Sequence, residues 1–142
     1  MYVLNNNNIY ELPIHDCDLL GINIFQSSQG LTHIKLGISF YSEEVHLLDK
    51  RIIELLGQNN DADLLISNCS WIKFDGYYNT DALDLFDFVE LSREHSLLEE
   101  HADKISNRHI SITFISGSVL QCIYEKIGLV SRSNKAIEQD SR

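Results

Sequence analysis

Residues 108–129 read RHISITFISGSVLQCIYEKIGL, and no other stretch limits the fold as much. Ile110, Ile112 and Phe114 alternate with Ser111 and Thr113, which is the period of a strand with one buried face. Ser116, Gly117 and Ser118 break that alternation with small turn-forming residues. Residues 119–127 follow and are apolar on both faces, as a strand covered on both sides requires. The chain is therefore expected to end in a β-hairpin whose second strand is deeply buried. Other strands must pair with it.

Candidates for those strands lie upstream. Residues 1–4 suit a short strand, and four asparagines at 5–8 suit a turn, because asparagine tolerates left-handed backbone. Residues 9–14 are expected as a strand, with Pro13 placing it near an edge. Residues 19–25 form the next, with Leu20, Ile22 and Ile24 on one face. The QSSQG run at 26–30 is a hairpin loop. Residues 31–41 alternate most cleanly, with Thr32, Ile34, Leu36, Ile38 and Phe40 opposed to His33, Lys35, Gly37 and Ser39. These three runs read as an antiparallel meander with one wet face.

The period then changes. Val45, Leu48, Ile52 and Leu55 recur at three and four, with Ser42 placed to cap and Gly57 placed to stop, so a helix is expected over 43–56. Residues 58–61 are a polar loop. Residues 64–74 return to strand, with Leu64, Ile66, Ile72 and Phe74 on one face and Trp71 on the other, ending at an Asp75-Gly76 turn. Residues 82–91 fit a helix or a two-faced strand, and their aromatic and β-branched content tips them to strand. Ser92 caps a second helix over 93–105, carrying Leu97, Leu98, Ala102 and Ile105.

Five to seven strands and two helices without βαβ alternation define an α+β domain. Its antiparallel sheet has helices packed on one side, and a partly rolled sheet and a sandwich both fit the strand count. A length of 142 residues suits one domain, taken as 1–130, followed by a polar, frayed tail at 131–142. Cys17, Cys69 and Cys122 are odd in number and each sits in an apolar run, which fits buried free thiols in a reducing compartment. The first residues lack the charge and apolar core of a signal peptide, and no run is long enough to span a bilayer, so the cytoplasm is the expected location.

The net charge of −10 works against direct binding of nucleic acid or an anionic membrane. It is unevenly spread. Residues 75–103 hold Asp75, Asp81, Asp84, Asp87, Glu90, Glu94, Glu99, Glu100 and Asp103 against the single base Arg93, which is −8 of the −10. Tyr77, Tyr78, Phe86 and Phe88 are interleaved with them. Carboxylates that steer and rings that anchor make up a surface that docks a basic partner. The competing reading is a solvated acidic face whose aromatics belong to the core.

Signals for catalysis are thin. His15 and Cys17 share one face of a strand while Asp16 points to the other, so the three do not converge. His95 and Glu99 are one helical turn apart, but His101 falls off that face and no HExxH pattern is present. Ser116-Gly117-Ser118 leads into a strand, whereas a phosphate cradle leads into a helix. No metal or other cofactor is expected, and no enzymatic role.

Three segments together resemble small bacterial immunity proteins, the antidotes of contact-dependent inhibition and other polymorphic toxin systems. They are IYELPIHDCDLLGINI at 9–24, LLISNCSWIKFDG at 64–76 and ITFISGSVLQCIYEKIGL at 112–129. The resemblance covers about half the chain. It implies a cytoplasmic, non-enzymatic protein that binds one cognate toxin C-terminal domain and blocks it. Many such toxins are nucleases with basic substrate grooves, which an acidic surface can occlude. The alternatives are a small metal-dependent or cysteine-based hydrolase using His15, Cys17 or His95 with Glu99, and an acidic adaptor module with no toxin partner.

Overall fold

In a computed structural model of the chain, the described residues form nine strands in one antiparallel sheet with three short helices. The structure describes residues 1–15, 17–56, 60–76, 81–92, 94–101 and 106–132, and for Ser42, Glu44, Asp81, Glu99, Glu100 and His101 the backbone alone. The strands are β1 (Tyr2–Val3), β2 (Asp18–Gln26), β3 (Thr32–Ser39), β4 (Asp61–Ser67), β5 (Trp71–Asp75), β6 (Asp81–Glu90), β7 (Arg108–Phe114), β8 (Val119–Tyr124) and β9 (Lys126–Ser131). The helices are α1 (Ser42–Val45), α2 (Lys50–Leu56) and α3 (Ser96–His101). Among the described residues no helix is long and apolar enough to cross a membrane.

The α+β class is as expected, and the nine strands exceed the five to seven anticipated. Two of the additional strands arise because long apolar runs bend. Residues 64–74, read as one strand, belong to β4 and β5, and 119–127 to β8 and β9. The final hairpin, β7–β8, forms as expected around Gly117, whose φ of 93° its lack of a Cβ permits. Its second strand does not stop there. After Glu125 the chain crosses over as β9 and pairs with β4 and β1.

The two bends coincide. β4 pairs with β9 from Ala62–Ser131 to Ser67–Lys126, and β5 pairs with β8 from Trp71–Ile123 to Asp75–Val119. Three residues, Asn68 to Ser70, therefore face two, Tyr124 and Glu125, which is a bulge at a corner. Asn68 takes φ 54°, and Glu125 N donates to Ser67 O while Ser70 N donates to Ile123 O. Starting from β9, pairing runs through β4, β3, β2, β6, β7 and β8 and so returns to the same bent strand. The sheet is thus rolled into a closed barrel of six staves: β2, β3, β4–β5, β8–β9, β7 and β6. One seam is short: among the described residues β2 pairs with β6 at Asp18–Ala82 and Leu19–Asp81, beside a bond from Leu83 N to Cys17 O.

Alternation decides what fills the barrel. Ile34, Leu36 and Ile38 of β3 face inward beside Ala62, Leu64 and Ile66 of β4 and Ile127 and Leu129 of β9. Leu83, Ile110, Ile112, Phe114, Leu120 and Cys122 do the same from β6, β7 and β8. All belong to one buried cluster, and each large side chain in it contributes about 1.5–3 kcal/mol. β3 follows its expected alternation residue for residue. β2 does not, because a bulge between Leu19 and Gly21 puts Leu19 opposite Ile38 and leaves Leu20 47% exposed.

Three other expectations need correction. Residues 9–14 are not a strand. Ile9–Glu11 forms a single 3-10 turn, held by Asn5 and Asn8 side chains bonding nearby amides, and its Ile9 enters the core with Leu12 and Ile14. The three-strand meander is thus a β2–β3 hairpin continued by β4. The expected helix 43–56 breaks in two. Asp49 starts α2 afresh: its carbonyl accepts from Ile52 and Ile53, and its carboxylate accepts from Arg51 N at 2.8 Å. Ile52 and Leu56 then reach the core. The second helix begins at Ser96 rather than 93, and residues 102–105 lie outside those described. Of the expected tail, Ser131 is still in β9 and Arg132 packs over Gly37.

Candidate partner-binding surface

The acidic segment maps mainly onto β6. The register with β7 puts Leu85, Asp87 and Val89 opposite Thr113, Ser111 and His109 on the outer face. Phe86 and Phe88 point inward opposite Ile112 and Ile110, stacked edge to face with centroids 6.3 Å apart. Phe86 is only 8% exposed and belongs to the core, while Phe88 is partly buried and packs against it. Asp84 occupies a bulge between Leu83 and Leu85, where its Oδ1 lies 2.9 Å from His15 Nδ1. Glu90 ends the strand opposite Arg108, whose Nη1 donates to Glu125 O at 2.6 Å.

The other predicted acids are scattered. Asp75 is on the outer face of β5, three strands from β6 and 3.6 Å from Lys73 Nζ. Glu94 is exposed ahead of α3. Asp81, Glu99 and Glu100 are placed by backbone only, and Tyr77, Tyr78 and Asp103 lie outside the described residues. Asp84, Asp87 and Glu90 stay on one strand but leave it in different directions, each exposed or partly so.

The outer face of β6 carries a feature the acid count does not reveal. Leu85 is 58% exposed and Val89 43%, and they flank Asp87. The alternation of LDLFDFV, once assigned to a strand, is the signal for this stripe. Beyond Val89 the same sheet is half covered. Trp71 stacks on His109 with centroids 6.0 Å apart, and Ile123, opposite both in register, is 1% exposed. Burial pushes the His109 imidazole below its ordinary pKa, and nearby His95 pushes the same way, against the Gln121 hydrogen bond and Asp87.

At the end of β6 a cleft of about 350 Å³ opens between β6–β7 and the β1 segment, lined by Asn5, Asn6, Phe88, Glu90, Arg108, Tyr124 and Lys126 among others. Burial raises the Tyr124 hydroxyl to about 12, so it remains protonated at neutral pH.

Among the described residues the candidate catalytic groups do not assemble. Cys17 is buried with its Sγ 3.0 Å from Pro13 O, His15 is exposed toward Asp84, and Asp16 lies outside the described residues. His95 precedes α3 rather than riding on it, and its Nδ1 accepts from Leu97 N at 3.1 Å. Among the described residues no three His, Cys, Asp or Glu side chains are grouped to hold a metal.

Fold and surface together define an α+β protein built on a closed antiparallel barrel, with an acidic, partly apolar strand exposed at its seam. No family model, no curated protein and no solved structure matches the chain.

Proposed function

We propose that this chain is an immunity protein: it binds one cognate toxin domain, a basic nuclease, and blocks access to its substrate site. The observation that carries the reading is β6. It bears Asp81, Asp84, Asp87 and Glu90 and no base, and Leu85 and Val89 stand exposed beside them. Carboxylates at that density attract a phosphate-binding groove, and the two aliphatic side chains supply area that loses water on contact. The protein's net charge of −10 adds long-range steering, which raises the association rate and fades with salt. The inhibitor turns nothing over, needs no cofactor and acts by occlusion.

The test is co-elution with the toxic domain encoded beside this chain's gene, repeated across rising salt with a nuclease assay on the fractions. A stoichiometric, salt-sensitive complex with silenced nuclease is the expected result. Absence of any complex at low salt would overturn the reading.

A further inference from the structure

We propose that the open edge of β6 is the docking element, and that an extended, basic segment of the partner adds to it as a further antiparallel strand. The inference deepens the inhibitor reading and rests on it for the partner's identity alone. Leu91 N donates to Asn107 O, which fixes the phase of the β6–β7 ladder. Residues 85, 87 and 89 therefore turn their N–H and C=O groups toward β7. Phe86, Phe88 and Glu90 turn theirs the other way. β2 pairs with β6 as far as Ala82, Leu83 N donates to Cys17 O and His15 stands beside Asp84, but beyond these, among the described residues, no strand pairs with those groups. A row of unpaired donors and acceptors is a template for strand addition.

Charge selects the occupant. Asp84, Asp87 and Glu90 border this edge, and Arg108, the base opposite Glu90, is held by the Glu125 carbonyl. A second copy of the chain would bring like charges into register and be repelled. A segment with lysine or arginine opposite Asp87, and apolar residues opposite Leu85 and Val89, would be attracted on the outer face. The edge of β2 over residues 22–26, unpaired among the described residues, carries no charge and offers no such choice.

The probe is the capped heptapeptide KVTKTVK, whose second, fourth and sixth side chains (valine, lysine, valine) share one face, titrated into the isotope-labelled full chain and followed by NMR. Two controls accompany it: the glutamate–valine counterpart, and the lysine–valine peptide N-methylated at alternate backbone nitrogens. The lysine peptide should shift the amides of Phe86, Phe88 and Glu90 and slow their exchange. Methylation removes the strand hydrogen bonds and should weaken binding at least about tenfold. The glutamate peptide should bind more weakly still. Absence of any shift, a footprint on another face, or equal binding by the methylated peptide would overturn the inference. If the toxin domain co-elutes but leaves the β6 amides untouched, strand addition is wrong and inhibition stands. If the peptide docks on β6 but no toxin domain binds, the edge stands and the inhibitor reading falls.

Discussion

Asn68 Nδ2 donates to Glu125 Oε2 across 2.7 Å, joining the two residues at which the paired strands β4–β5 and β8–β9 bend together. Asn68 holds φ 54°, a conformation asparagine tolerates and β-branched residues do not. Asn68→Gly keeps the backbone and loses the hydrogen bond, so it should cost under about 1 kcal/mol. Asn68→Val should cost about 2 kcal/mol or more, because it adds backbone strain at a corner every stave depends on. Urea midpoints of the two variants separate the terms.

A second test concerns Asp63, whose side chain is 4% exposed on the outside of β4. Arg132 reaches over Gly37 to place its Nε 3.4 Å from Asp63 Oδ1. Arg132→Ala would remove the guanidinium beside this largely buried carboxylate, at a cost of about 1–3 kcal/mol. Adding Asp63→Asn should restore part of the loss. A double-mutant cycle by chemical denaturation measures the coupling.

His109 predicts a pH dependence. Its folded pKa is lowered by burial, so the unfolded chain takes up the proton first as pH falls. The stability it contributes is complete above the ordinary histidine pKa of about 6.5 and is lost as pH drops from there toward the folded value. Trp71, the sole tryptophan, stacks on this ring and reports its charge. Its fluorescence should be quenched with a midpoint below about 6.5, and His109→Gln should abolish that step.

The thiols should be inert in the folded protein. Cys17, Cys69 and Cys122 are buried and free. The hydrogen bond with Cys69, together with burial, pushes the Cys122 thiol well above its usual range. At pH 8, iodoacetamide should modify none of the three within an hour or so in buffer, and all three in urea, as read by mass spectrometry.

Charge reversal of Asp84 and Asp87 tests the proposed interface. Asp87 is exposed on the outer face, and the Asp84–His15 contact joins two solvent-facing groups. Replacing both by lysine should shift stability by less than about 1 kcal/mol. Affinity for the toxin domain should fall about tenfold or more, mostly through association rate at low salt. Stopped-flow binding at two ionic strengths checks both parts.

Much of the barrel was legible because its staves alternate. Ile34, Leu36 and Ile38 declare a buried face, and Phe86 and Phe88 with Leu85 and Val89 declare a strand with two. The sequence also marked Gly117 as a turn. Bends were not legible. LLISNCSWIKF and VLQCIYEKI run on without proline or a glycine pair, and their corner depends on pairing between segments far apart in the chain. The bulge that exchanges Leu20 for Leu19 is likewise set by β3, not by β2 itself. At the site, the acids were legible as a count, but their distribution was not. Strand alternation and a bulge send Asp84, Asp87 and Glu90 in different directions, and exposed Leu85 and Val89 carry no charge to draw attention.

The two-pair contact between β2 and β6 gives the ring a preferred place to part. Each other ladder in the ring is longer, so a brief rupture there sacrifices the fewest bonds while the rest of the wall holds. Protons on the amides of Leu19 and Leu83 should therefore trade with solvent sooner than those at the middle of β3 or β8. A strand captured along β6 would act as a clasp beside that weak point, and a bound partner would slow the breathing of the whole cylinder.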